Sequence, residues 1–318
     1  MVGRIDVNKI VPTAPRGTSD NRAASTAFIT GGGAGPRIVL AGATTFYVST
    51  TGSDANSGLS AASPWATFAH AFAIISSLYD FGGQTVILQI ADGTYSLANG
   101  NPQLKVLAWL GGGALIIRGN LANQDAVVIS SVNLDAINAI VAPLPGPVQV
   151  SFLKVTTSGS VVFPDFCSGI NAGVTSRFIV DNVDFGPCSF AQMLAQSGGF
   201  ITNSALDGTN KSFTVSGNSG RNAYASGLGR ISHFGQAHVA IPNPLTVSEW
   251  VTAGAGGNVT YGFGIAFTGA GGAGAPAAVT GAKFNCNAGT VTTGTNNPNF
   301  LPGSTAGIGA NSGATLYT

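Results

Sequence analysis

Residues 46–95 constrain the fold more than any other part of the chain. FYVSTTGSDANSG reads as a strand ending in a Gly/Asn/Asp turn, LSAASPWATFAHAFAIISSLYDF as an apolar helix, and GGQTVILQIADGTY as a second strand closed by a tight turn. Ser63 is a good N-cap, and Pro64 sits where the first turn of a helix tolerates proline. Phe68, Phe72, Ile75 and Tyr79 follow a helical stripe with Trp65 at its start, so the spacing predicts a helix over 63–80. A helix this apolar must lie on something apolar. Laid across the open end of a stack of strands, it would cover both unpaired edges and exposed core side chains, so it is expected to be an N-terminal cap.

Downstream of the cap, short strand signals recur between Gly, Asn and Asp: residues 114–120, 126–132, 148–159, 176–186, 198–208 and 211–220. Helical periodicity is absent. A shift of 21 residues brings Asn182, Phe185 and Val180 onto Asn203, Leu206 and Ile201, and Cys167 onto Cys188. Three short strands and three turns need about this many residues before the next rung stacks at ~4.8 Å, so the pattern predicts a solenoid with small residues stacked at the two cysteines. A β-sandwich would also show short strands with frequent turns. Consecutive apolar pairs such as Ile116–Ile117, the self-match and the capping helix favour the solenoid.

The order of pieces resembles the opening of phage and bacterial β-helix proteins with a pectin-lyase-like fold. It comprises Tyr47-Val48, the turn Gly52-Ser53-Asp54-Ala55-Asn56-Ser57-Gly58, Pro64-Trp65-Ala66-Thr67, the strand 86–90, and Asp92-Gly93-Thr94-Tyr95. The resemblance implies an all-β, right-handed parallel β-helix with an N-terminal capping helix, an extended N-terminal arm and a Gly-rich C-terminal tip. On that reading residues 1–44 are a virion-attachment arm with a short helix within 19–29. Residues 45–220 form the β-helical body, and 221–318 an irregular β-rich distal or trimerisation region. The family also implies a homotrimer located on the phage particle, made in the host cytoplasm and released by lysis. Its arm would bind other virion proteins and its body a host surface polysaccharide.

Only 8% of the residues are charged and the formal net charge is +1, against the roughly 25% charged of ordinary globular chains. Such a surface is expected to be hidden in subunit contacts. No basic run is present, so neither nucleic acid nor an anionic membrane is expected as a partner. No leader-like or membrane-spanning apolar stretch is visible, and the chain is expected to be made as a soluble cytosolic product. Cys167, Cys188 and Cys286 lack zinc-site spacing and read as small buried hydrophobes; no metal or other cofactor is expected.

Chemistry on a glycan needs two carboxylates across the scissile bond. The chain has one glutamate, Glu249; with Asp181, Asp184 and Asp207 it makes up the catalytic candidates should the protein cleave polysaccharide, with Asp165 a further carboxylate that could reach a subunit groove. Asp181 and Asp184 differ by three positions, which in regular strand geometry puts them on opposite faces. A lyase would need a carboxylate cluster with a base, and Arg177 and Arg221 stand without one. Asp54–Gly58 reads as a turn in preference to a calcium loop, His70 as packed in the cap, and His233 and His238 lack a third ligand. The candidates for glycan contact are the aromatic residues Trp109, Tyr224, Trp250 and Tyr261. The expected function is thus a non-enzymatic fibre or spike that attaches to the host surface. A polysaccharide-cleaving hydrolase or lyase with carboxylates at subunit grooves, and a bacterial extracellular β-helix adhesin, remain as alternatives.

Overall fold

Every pairing between the described strands is parallel and joins a segment to its counterpart one coil later. The structure, a computed structural model, describes residues 37–97, 104–139, 142–160, 166–269, 278–295, 299–310 and 315–316. The first sheet holds ten strands: Thr44–Val48, Thr85–Ile90, Ala114–Arg118, Val148–Ser151, Arg177–Asp181, Phe200–Thr202, Arg230–His233, Asn258–Tyr261, Thr290–Thr293 and Thr315–Leu316. The second holds seven: Gly93–Leu97, Val127–Val132, Lys154–Ser158, Asp184–Phe185, Phe213–Val215, His238–Ala240 and Ala266–Thr268. The third holds eight: Leu104–Lys105, Ile137–Ala139, Ile170–Ala172, Cys188–Ala195, Ser219–Ala225, Leu245–Gly254, Val279–Asn287 and Ile308–Ala310. The chain visits the three sheets in turn and then repeats the circuit, which makes it an all-β parallel solenoid.

Parallel coils ~4.8 Å apart set each side chain on its counterpart in the coil before. Val86, Leu115, Val148, Phe178, Ile201, Ile231, Val259 and Val291 are register partners in succession and form one apolar ladder along the first sheet. None of the eight is more than 1% exposed. Full burial of each stabilises by about 1.5–3 kcal/mol, so the ladder is a large part of what holds the coils together.

Coil length departs from the expected 21 residues. Phe178 pairs with Ile201, a step of 23, and the other coils along this ladder take 28 to 33. The cause lies in the corners. Ser204 and Asn210 form an antiparallel bridge that closes a loop between them, where the previous coil turns at Asn182 with φ 51°. Asp184 therefore stands opposite Thr214, and Asn182 is not the counterpart of Asn203. Cys167 and Cys188 likewise do not stack: Ile170 pairs with Met193, and the Phe190 amide donates to the Cys167 carbonyl. Both cysteines are buried and form no disulfide among the described residues, and the same holds for Cys286.

The corner from the third sheet back to the first requires glycine. Ala172, Ala195, Ala225 and Ala253 stack in register. A Cβ at Gly199, Gly229 or Gly257 would lie 2.1–2.2 Å from the carbonyl oxygen of Ala172, Ala195 or Ala225 in the coil before. Only a residue without a side chain lets this corner close on its neighbour. The same sheets continue past residue 220, so the looser sequence pattern there does not interrupt the solenoid.

The one described α-helix, α1, runs Phe68–Leu78 and buries Phe68, Ala71, Phe72 and Ile75. Phe68 meets Tyr95 on the first strand of the second sheet, with ring centroids 5.2 Å apart, and α1 also packs on Leu104–Lys105, the first strand of the third sheet. α1 thus covers the edges where those two sheets begin. It starts later than the expected 63–80, because Thr67 rather than Ser63 is its N-cap. Trp65 is instead bridged to Val48 and stacked on Phe46 at 5.2 Å. Asp54 sets the start: its carboxylate accepts hydrogen bonds from the amides of Ala66 and Thr67, both at 2.9 Å, and from the Thr67 hydroxyl at 2.8 Å. Burial pushes the Asp54 pKa up, but these three bonds outweigh it and hold it below the usual carboxylate range. Ile38–Val39 pairs in parallel with Tyr79–Asp80, whereas residues 1–36, with the expected helix in 19–29, lie outside the described residues.

Asp54→Ala should lower the unfolding free energy by about 1–2 kcal/mol in urea titration at neutral pH, since it removes the hydrogen bonds that hold the N-cap residue Thr67. Since the folded pKa is depressed, this contribution is present above the unfolded pKa and disappears as pH falls through the folded one, so the variant and the parent should converge in acid.

Candidate functional site

The third sheet carries two breaks in register, between Cys188 and Ala191 and between Thr246 and Glu249. Bulges of this kind re-aim side chains, and around them the sheet keeps large residues half-exposed. Phe166, Phe190 and Tyr224 form a row, with centroids 5.5 Å apart at each step. The Arg221 guanidinium lies over both Phe190 and Tyr224, at 5.0 and 5.2 Å. Its Nε donates to the Thr252 hydroxyl at 3.2 Å and stands 3.3 Å from Oε2 of Glu249, the register partner of Arg221. The terminal nitrogens of Arg221 have no hydrogen-bond partner among the described residues.

This strip is a row of mutually inclined rings, at 41° and 61°, with a fixed cation over two of them. Aromatic faces pack against the apolar face of a ring without demanding one orientation. The guanidinium is already held by stacking and by Glu249, so its free N–H groups are placed before a ligand arrives. The arrangement suits hydroxyl- or carboxylate-bearing rings laid along the strand direction.

Three of the residues singled out in sequence, Tyr224, Arg221 and Glu249, meet in this strip. The other three aromatic candidates are core and have no surface to offer a sugar. Trp250 and Tyr261 are 0% exposed, and Tyr261 donates its hydroxyl to buried Asn222. Trp109 stacks on Phe81 and donates its indole N–H to the Gly112 carbonyl. Phe166 and Phe190 complete the strip and were not among the aromatic candidates, because only the register relates positions so far apart in the chain.

The remaining carboxylates are dispersed. Asp181 ends a strand of the first sheet and accepts from the Gln149 and Asn182 amides at 3.0 and 2.8 Å. Asp184 begins a strand of the second sheet and lies 2.7 Å from the Lys154 ammonium while accepting from the Ser216 hydroxyl at 2.8 Å. The positive φ of Asn182 separates them into different sheets, so simple alternation does not describe their faces. Burial raises the pKa of both. Asp207 is exposed, and the bonds from Lys211 and Thr209 hold its carboxyl well below the ordinary range. Asp165 lies outside the described residues. The Asp207 charge reaches Asp181, with Lys211 beside both, and Asp184 shares the Lys154 ammonium with Asp125.

Among the described residues no group of three His, Cys, Asp or Glu side chains is placed to hold a metal, and no helix is long and apolar enough to cross a membrane. His233 and His238 do not meet as ligands, since one is buried and the other exposed in a different sheet. No protein-family model, curated protein or solved structure matches the chain.

His233 lies between the rings of Phe213 and Tyr261, at 4.9 and 5.1 Å, and neither ring nitrogen has a partner among the described residues. Burial lowers its pKa from 6.5 to about 3. The unfolded chain takes up this proton first as pH falls, so the group opposes folding between pH 6.5 and about 3, by up to ~1.4 kcal/mol per pH unit. Buried Asp181 and Asp184 act with the opposite sign: their raised folded pKa values add stability at low pH that is lost as pH rises through them. His233→Phe should flatten the acid limb of a plot of melting temperature against pH below about 6.5, leaving its slope above neutrality unchanged.

Proposed function

We propose that the protein is a non-enzymatic bacteriophage fibre or spike component that attaches the particle to a polysaccharide of the host cell surface. The observation that carries the reading is the strip of Phe166, Phe190, Tyr224 and Arg221 with Glu249, a pre-positioned aromatic and polar platform on a rigid solenoid. In this reading residues 1–44 join the body to other particle proteins, and three copies assemble side by side. The sequence opening over residues 47–95, with its resemblance to β-helical phage proteins, supports the assignment to a particle.

Binding is favoured over catalysis because the candidate carboxylates are committed to amide, hydroxyl or cationic partners, Asp184 sharing the Lys154 ammonium with Asp125. An extended platform also suits a polymer, whose repeating rings can occupy successive aromatic positions.

The test is binding of the purified protein to immobilised capsular and lipopolysaccharide glycans. Saturable binding should weaken about tenfold or more in Tyr224→Ala and in Phe190→Ala, with melting temperatures close to the parent. Equal binding by the variants, or no binding to any bacterial glycan, would overturn the strip's role. Release of oligosaccharides during the assay would replace this reading with the enzymatic one.

A further inference from the structure

The cap end of the solenoid holds a second concavity that shares no residue with the strip. The turn after the first strand of the first sheet faces the corner between the first and second sheets, and between them lies a cleft of about 530 Å³. This size falls within the roughly 300–1,000 Å³ of small-molecule sites. Tyr47, Pro64, Gln89, Asp92, Asn120 and Leu121 stand in its walls.

The polar groups of these walls are fixed by the protein itself. Both carboxylate oxygens of Asp92 accept from the Asn120 amide, at 2.9 and 3.1 Å, and the Asn120 carbonyl in turn accepts from the Ala122 and Asn123 amides. The Gln89 amide donates to the Gly119 carbonyl at 2.8 Å and accepts from Arg118 Nε at 2.8 Å. Tyr47 is held at its backbone, donating to the Gly58 carbonyl and accepting from the Trp65 amide, while its hydroxyl has no partner among the described residues. Asp92 is exposed, so it has acceptor capacity left for a ligand. Pro64 and Leu121, the latter 61% exposed, add apolar surface.

We infer that this cleft binds a neutral, hydroxyl-rich ring compound, a mono- or disaccharide unit, through Asp92 and Tyr47. The donor and acceptor set decides the class. No lysine, arginine or histidine lines the cleft, so an anion would meet Asp92 uncompensated. A hydrocarbon would take the Tyr47 hydroxyl and the remaining acceptor sites of Asp92 out of water with nothing to bond them. A neutral sugar does neither: its hydroxyls donate to the oriented carboxylate, the phenol hydroxyl bonds a ring substituent, and the apolar ring face packs on Tyr47 or Leu121. Because the amides of Gln89 and Asn120 are ordered without the ligand, little ordering cost is added on binding.

Saturation-transfer NMR followed by calorimetric titration, with a panel of neutral mono- and disaccharides and with uronic and sialic acids for contrast, tests the assignment. At least one neutral sugar should saturate the parent protein at millimolar concentration. Asp92→Asn should raise the Kd about tenfold. Leu121→Trp, a change at an exposed wall position that leaves the core alone, should block binding with an unchanged melting temperature. The inference is overturned if no neutral sugar saturates, if the acidic sugars bind in their place, or if both variants bind like the parent. These outcomes are independent of binding to long polysaccharides by the strip, which uses other residues.

Discussion

In-register parallel stacking governs this molecule. Each coil sets its residues on the same positions of the coil before at ~4.8 Å, so a choice made at one position is inherited by its neighbours up and down the stack. Apolar on apolar gives the continuous ladder from Val86 to Val291. Alanine on alanine, followed by a glycine, gives a corner tight enough to repeat. The cost falls at the ends, where a coil has nothing to stack on, and α1 with Trp65 and Phe46 covers the N-terminal end. The Asp54 carboxylate, which ties the preceding turn to the first turn of α1, makes that cover part of the solenoid.

The same constraint bears on charge. A cation stacked on a cation at this spacing is repelled, so charged positions must be rare or alternate in sign. Lys154 stands opposite Asp184, and Arg221 opposite Glu249. Arg177 and Arg230 are register neighbours of Phe200, whose ring lies between their guanidiniums at 5.9 and 5.8 Å. The low charged fraction therefore has a cause within one chain, and subunit burial is not needed to explain it. The strip follows from the same rule: a stacked Arg–Glu pair beside stacked rings leaves the guanidinium both fixed and incompletely bonded.

What was legible in the sequence is what stacking repeats locally. Consecutive apolar pairs such as Ile116–Ile117 and the stretch 46–95 indicate strands, a cap and a solenoid without any knowledge of register. The coil length was not legible, because the excursion closed by Ser204 and Asn210 changes the count without changing the ladder. Nor was the start of α1, since the carboxylate that holds its N-cap residue Thr67 lies thirteen positions earlier in the chain. The aromatic residues were the hardest. Trp250 and Tyr261 sit in β-rich sequence much as Tyr224 does, yet the first two point into the core and only Tyr224 reaches the surface strip. Composition does not separate those outcomes; register and the bulges near Ala191 and Glu249 do.

The central claim is that residues about one coil apart touch across parallel strands. Methyl-labelled protein offers the most direct measurement, through nuclear Overhauser contacts between side chains of the ladder. Contacts from Leu115 to Val148, from Ile201 to Ile231 and from Ile231 to Val259 are required if the coils stack as described. Their absence, with Ile201 and Ile231 instead showing contacts typical of antiparallel neighbours close in sequence, would contradict the solenoid and with it the strip it aligns.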